Sequence, residues 1–229
     1  MTGFPDPHSP RVRSGLACAL ACGLITGMLA AGCTGRSSVK SNWVDNASRS
    51  ESFSRLLVVG VSPDYSQRCN FEFWLVRDLR SDNVQADASC SSMTKEVPLT
   101  RETVERLVAT LHSDAVLATS LVSANWKSKE GGSYDTRSTG SYKYVASGWD
   151  TGFYGVYGVP VDYYEFKTLP SITNARAQAH VLSKLYETRG AKLIYTIDIK
   201  ARDIESSQLG MATITPAIAK RLRHDGLIR

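Results

Sequence analysis

The chain has 229 residues, with 27 Lys plus Arg against 22 Asp plus Glu and a net charge of +5. Hydrophobic residues make up 42% and charged residues 21%, a balance that excludes a wholly disordered or collagen-like chain. The small positive excess is dispersed; it gives no nucleic-acid footprint, so no nucleic-acid partner is expected.

The N-terminus carries the most informative pattern. Arg11 and Arg13 precede an apolar stretch over 16–31, which has secretory length and is too short to span a bilayer comfortably. Leu29-Ala30-Ala31-Gly32-Cys33 closes that stretch with small residues ahead of a cysteine. The pattern resembles the lipobox of bacterial lipoproteins, with Ala30 where Leu is commoner. That resemblance implies a signal peptide over 1–32, acylation of Cys33 with palmitate-type chains, and a lipid bilayer as partner. An ordinary secretory signal ending near a cysteine is the competing reading. Cleavage would leave 197 residues with a net charge of +4, about one domain. Thr34, not Asp, follows the cysteine, and enteric-type sorting then implies the outer membrane, facing the periplasm.

Residues 33–52 are rich in Ser, Asn and Arg and read as a flexible tether. The folded domain is expected over 53–229. Its first run, Leu56 to Val61, is continuously apolar and closed by Ser62-Pro63-Asp64, as in a strand buried on both faces. Over 67–80 the period changes, and Phe71, Trp74, Leu75 and Leu79 fall on one helical face. Arg68 and Glu72 lie at i, i+4 on that helix, where a solvated pair contributes a few tenths of a kcal/mol. Val84, Ala86 and Ala88 then alternate as a short strand. Thr100 is the expected N-cap of a second helix, with Glu102 in its first turn and Val104, Leu107, Val108 and Leu111 on its face. An apolar strand follows over 115–122.

Cysteines 18 and 22 belong to the leader. Cys69 and Cys90 remain as an even pair in an exported domain, a candidate disulfide that would add about 3 kcal/mol on the chain-entropy model. Two separate buried thiols are the alternative.

Residues 131–166 form a Gly/Tyr-rich loop. Seven of the ten tyrosines lie there, together with Trp149, Phe153 and Phe166. Tyr142, Tyr144, Trp149, Phe153, Tyr154 and Tyr157 are the candidate partner-binding residues, because rings give large contact area at small entropic cost. A decorated hairpin folding its rings back onto the sheet is the competing arrangement. Residues 175–187 fit either a strand or a helix. The strand is preferred because Thr188-Arg189-Gly190 makes a hairpin turn into the alternating run over 192–200. Thr215-Pro216 reads as a helix start and Gly226 as its C-cap.

The catalytic inventory is sparse. His112, His180 and His224 show no ligand spacing, HExxH and CxxC are absent, and neither metal nor cofactor is expected. Gly152, Gly155 and Gly158 lack the strand-to-helix context of a phosphate loop and read as loop flexibility. No GxSxG elbow is present. Asp198 and Asp203 read as solvated charges on or beyond a strand.

The fold class expected is α/β (α+β): β-α-β-α-β, then a hairpin and a C-terminal helix, with helices packed on a mixed sheet. The chain resembles a group of poorly characterised proteobacterial outer-membrane lipoproteins. The likeness rests on Leu57-Val58-Val59-Gly60-Val61, Arg68-x-x-Phe71-Glu72, Asp114-Ala115-Val116-Leu117, the Gly/Tyr loop and Asp225-Gly226-Leu227-Ile228. More distantly it is similar to the curli-secretion lipoprotein class. The resemblance brings no catalytic residue. It implies a non-enzymatic binding or envelope-assembly module with an envelope protein as partner. The alternatives are an oligomeric component of an outer-membrane secretion channel and, third, an envelope hydrolase using a cluster such as His180 and Asp198.

Overall fold

A computed structural model describes residues 36–44, 47, 49, 52–62, 65–97, 99–130, 133–143, 145–146, 161–162 and 175–229; at 36, 126–130, 133–143, 145–146, 161–162 and 175–176 it describes the backbone alone. The elements run β1 (Arg36–Trp43), β2 (Arg55–Val61), α1 (Tyr65–Leu79), β3 (Gln85–Ala88), a 3-10 turn (Ser89–Ser91), α2 (Arg101–Leu111), β4 (Ala115–Glu130), β5 (Ser133–Lys143), β6 (Val145–Ala146), β7 (Val161–Asp162), β8 (Ala175–Glu187), β9 (Lys192–Ile204) and α3 (Ser207–His224). Six strands lie in the order β1-β9-β8-β4-β2-β3, and β5 joins beside β4 to complete a seven-stranded mixed sheet. β2 is parallel to β3 and β4; the remaining pairs of this sheet are antiparallel. The expected mixed sheet with helices packed on it is what forms.

Alternation along the central strands divides the core in two. Leu56, Val58, Ala115, Leu117, Leu185, Ile197 and Ile199 pack under α1 and α3. Leu57, Val59, Val61, Val116 and Ala118 pack under Val104 and Leu107 of α2. β2 is therefore buried on both faces, as its unbroken apolar run requires. Asp114 fixes how β2 and β4 start together. Its carboxylate accepts from Ser54 N, Ser54 Oγ and Arg55 N at 2.9–3.1 Å.

The helix ends follow local chemistry. Thr100 caps α2: its hydroxyl accepts from Thr103 N at 3.3 Å, and Thr103 Oγ1 accepts from Thr100 N at 2.9 Å. α3 closes in a Schellman turn. Leu227 N donates to Leu222 O and Gly226 N to Arg223 O, with Gly226 at φ 76°. Leu227 is fully buried, and its carbonyl accepts from Phe53 N at 2.8 Å, so the C-terminus is fastened to the chain just before β2.

Three expectations need correction. Residues 36–43, inside the segment read as a tether, are a strand paired along its whole length with β9. They look tether-like because β1 is an edge strand with one polar face; only Val39 and Trp43 pack on the core. α3 begins at Ser207, not at Thr215-Pro216. Ser206 Oγ accepts from Leu209 N at 3.1 Å as the true cap, and Pro216 lies inside the helix. A proline at N1 and an interior proline look alike in sequence. Gly210, inside the helix, is a close approach, where an added Cβ would meet Ile204 Cγ2 at 3.2 Å. The expected strand over 115–122 continues to Glu130, and part of the presumed loop is strand β5 alongside it.

Gly226→Ala places a Cβ in open space but at a left-handed backbone angle. The expected result is a loss of about 1 kcal/mol in urea-unfolding stability, with Gly226→Asn losing less.

Candidate functional site

Of the residues singled out from sequence, Cys33, Tyr144, Trp149, Phe153, Tyr154 and Tyr157 lie outside the described residues. Tyr142 belongs to β5, opposite Ala124 of β4. Cys69 on α1 and Cys90 in the 3-10 turn face one another with Cα atoms 5.5 Å apart, the separation a disulfide requires.

Beside that pair the sequence reading missed a buried charge. The helix face turned to the sheet carries Arg68 and Glu72 as well as Leu75, Val76 and Leu79. Glu72 is fully buried. Oε1 accepts from Gly60 N at 2.8 Å and Ser89 Oγ at 2.7 Å, and Oε2 accepts from Cys90 N at 2.8 Å. Arg68 Nε stands 3.8 Å from Oε1, and its guanidinium lies 5.0 Å from the Tyr65 ring. Burial pushes the Glu72 carboxyl above its usual range, and the bonds from Cys90, Gly60 and Ser89 with the Arg68 charge pull the other way. The pair is therefore not solvated. Its i, i+4 spacing is legible in sequence, but nothing in that spacing says which way it points.

A second cluster ties α3 to the edge of the sheet. Asp225 Oδ2 accepts from Tyr195 Oη and from Ser41 Oγ at 3.2 Å, and it forms an ion pair with Arg221, whose Nε stands 3.0 Å away and donates to Ser41 Oγ at 2.7 Å. Oδ1 lies 2.7 Å from His224 Nδ1. Burial raises the Asp225 carboxyl, but the Tyr195, His224, Arg221 and Ser41 contacts outweigh it and hold it below the usual carboxylate range. Burial and the bond to Asp225 raise the Tyr195 phenol. In both clusters each carboxylate oxygen is engaged by groups of the scaffold.

The remaining cluster faces outward. α2 packs on β2 and the adjoining half of β4, and its cluster reaches Tyr186 of β8 and Leu193 of β9; among the described residues no helix packs on that face beyond them. His180 Nε2 bonds Asp198 Oδ2 at 2.6 Å there. Asp198, read as solvated, is thus half-buried in an acid–imidazole pair. Ser123 stands opposite His180 in register, yet among the described residues no hydroxyl or thiol hydrogen-bonds the imidazole. Without an activated nucleophile the pair alone does not make an acyl-transfer site. Among the described residues no group of three His, Cys, Asp or Glu could hold a metal ion, and no helix is long and apolar enough to cross a membrane.

No family model matches the chain. No characterised relative matches it either. Among solved structures it is similar to a variant of the PelC dodecamer from Paraburkholderia phytofirmans, with 10% identity and a TM-score of 0.43 over 85% of this chain and 100% of that one. A second form of the PelC dodecamer from the same organism gives 9% identity and a TM-score of 0.42 over 85% and 99%. A likeness at that identity and score supports no statement about what this chain does.

The Asp225 cluster has a clear pH signature. A carboxyl whose folded value is depressed adds stability above its unfolded value, and that stability disappears as pH falls through the folded one. Asp225→Asn should lower unfolding stability by about 1–3 kcal/mol at neutral pH. The gap between variant and parent should close in acid, below the ordinary aspartate range. Urea titrations across pH check this; a gap that stays constant would remove the assignment.

Proposed function

We propose that the chain is a lipid-anchored envelope protein that works by binding, not by catalysis. The observation that carries this is the leader ending in Ala31-Gly32-Cys33 behind Arg11 and Arg13. The engagement of two carboxylates, Glu72 buried and Asp225 partly buried, by groups of the scaffold supports the second half. Both oxygens of Glu72 and of Asp225 are engaged in holding elements of the scaffold together. The bilayer held through acylated Cys33 is one partner, and the outer membrane, facing the periplasm, is the proposed address. An envelope protein met by the Gly/Tyr segment that contains Tyr142 is the other partner.

An oligomeric component of a secretion channel is the second reading. It is favoured by β1, an eight-residue edge strand with no partner on its outer side among the described residues. Such edges are templates for pairing with another chain. A strictly monomeric detergent-extracted protein in light scattering would remove that reading.

The anchor is tested by expressing the whole chain in a bacterial host. The processed protein should carry the mass of its acyl chains and sediment with membranes. Cys33→Ala should lose that mass and either remain uncleaved or appear in the soluble periplasm. A lipid-free parent protein sinks the proposal.

The cysteine pair gives a separate check. We propose that Cys69 and Cys90 are bridged, closing a loop of 21 residues and adding about 3 kcal/mol. Thiol titration of the unfolded, unreduced mature protein should then find no free thiol from either residue.

A further inference from the structure

We propose that the end of the sheet that no described helix covers, on the face shared with α2, lies against an anionic phospholipid surface. The inference rests on the lipid anchor proposed above and goes beyond it, since an anchor alone leaves orientation free.

The first argument is chain length. Cys33 precedes Arg36, the first residue of β1, by three residues. Three peptide steps reach no more than about 11 Å. A strand held along its whole length by β9 has no slack to add. An acylated Cys33 would therefore bring this end of the sheet to headgroup level.

The second argument is charge. Backbone register at that end sets Arg36 opposite Arg202, Lys127 opposite Arg176, and His180 opposite Lys200. Ile197, Ile199 and Ala201 of β9 are buried under α1 and α3, so alternation turns Lys200 and Arg202 to the other face, and both are exposed. Like charges directly opposed in neighbouring strands destabilise a sheet. Two such pairs, in neighbouring rows at one end of the sheet, are an unfavourable arrangement in water. A surface of phosphates offsets it. Farther from the anchor the pattern changes, with Lys40 opposite Asp198. The acids Glu130, Asp135, Asp203 and Glu205 lie at the same end but outside these pairs. A second copy of the chain would meet this face with the same positive charges, so the occupant with matching sign is the anionic leaflet.

The test uses processed, acylated full-length protein reconstituted at high dilution into vesicles of phosphatidylethanolamine with phosphatidylglycerol, and separately into phosphatidylcholine vesicles. Acetylation of lysines is followed by mass spectrometry on the sedimented protein. Lys200 should react about five-fold or more slowly in the anionic vesicles, the order expected for one basic residue at such a surface. Lys95, an exposed residue between β3 and α2, should react equally in both. Arg202→Glu combined with Arg176→Glu removes both like-charge pairs and should fold at least as well, stay membrane-bound, and lose the protection of Lys200. Equal reactivity of Lys200 in the two vesicles overturns the proposal. Equal protection in both vesicles, or protection surviving in the double variant, overturns it too and points to contact between copies. Protein found without acyl mass defeats the anchor reading itself, and this is seen before any labelling.

Discussion

A carboxylate buried beneath α1 constrains the rest of the fold. Glu72 has no solvent to stabilise its charge, and an isolated buried carboxylate is expensive. Three hydrogen bonds and the Arg68 guanidinium offset that cost, and they come from separate places: Gly60 in β2, Ser89 and Cys90 after β3, and the helix itself. β3 pairs with β2 only as far as Val58, so the amide of Gly60 lies beyond the end of the ladder. The Glu72 side chain takes the place of the missing strand. This requires α1 to approach β2 closely, and an added Cβ at Gly60 would meet Arg68 Cγ at 3.2 Å. The same bond to Cys90 N sets the 3-10 turn beside α1, where Cys90 faces Cys69. One acidic side chain thereby fixes a helix, two strand ends and a pair of cysteines.

At the other end of α1 the fastening comes from α3. Arg223 Nη2 donates to the carbonyls of Asp78 and Leu79, the open C-terminal carbonyls of the helix. Thr215 Oγ1 lies 2.6 Å from Asp78 Oδ2. Asp225 then joins α3 to β9 through Tyr195 and to β1 through Ser41. The polar chemistry on this side of the sheet is thus turned inward and engaged in cohesion. The opposite side differs. Beyond the part covered by α2, Lys40, Lys200 and Arg202 are exposed and the His180–Asp198 pair is half-buried. The division suits a scaffold on one face and a contact surface on the other.

Much of this was legible before the structure. Periodicity placed β2, α1, β3, α2, the start of β4, and the β8–β9 hairpin with Gly190 at φ 80° in its turn. The misreadings share a cause: one-dimensional pattern does not report what a polar residue is bonded to. Arg68 and Glu72 read as surface charge because the groups that Glu72 bonds, the amides of Gly60 and Cys90 and the Ser89 hydroxyl, lie elsewhere in the chain. β1 read as linker because Ser41 satisfies its hydroxyl with Asp225 and Arg221 across the sheet edge. Phe71 and Trp74 drew the helical face about a quarter turn away from its true centre, since aromatic residues at a half-buried flank carry the same hydrophobic weight as core residues. The motifs that carried the family resemblance prove to be joints of the scaffold. Asp114 holds the start of β2, Glu72 the end, and Asp225-Gly226 closes α3. That is why they suggested a fold and no chemistry.

The strand at 36–43 changes what an anchor at Cys33 would mean. A flexible tether of some twenty residues would let the domain turn freely at a distance of tens of ångströms from the bilayer. Direct continuity into β1 removes that freedom, and orientation is then set by the sheet. The aromatic segment meets the same constraint. It leaves the sheet at Lys143, opposite Ser123, and returns at Ala175, opposite Ser128. Those registers lie in the half of the sheet where Arg36 pairs with Arg202, because Ala177, Ala179 and His180 connect the two through β9. The start of β1, the opposed basic pairs and the two points where the aromatic segment joins the sheet therefore share one end of the sheet, while the starts of β2 and β4 lie at the other.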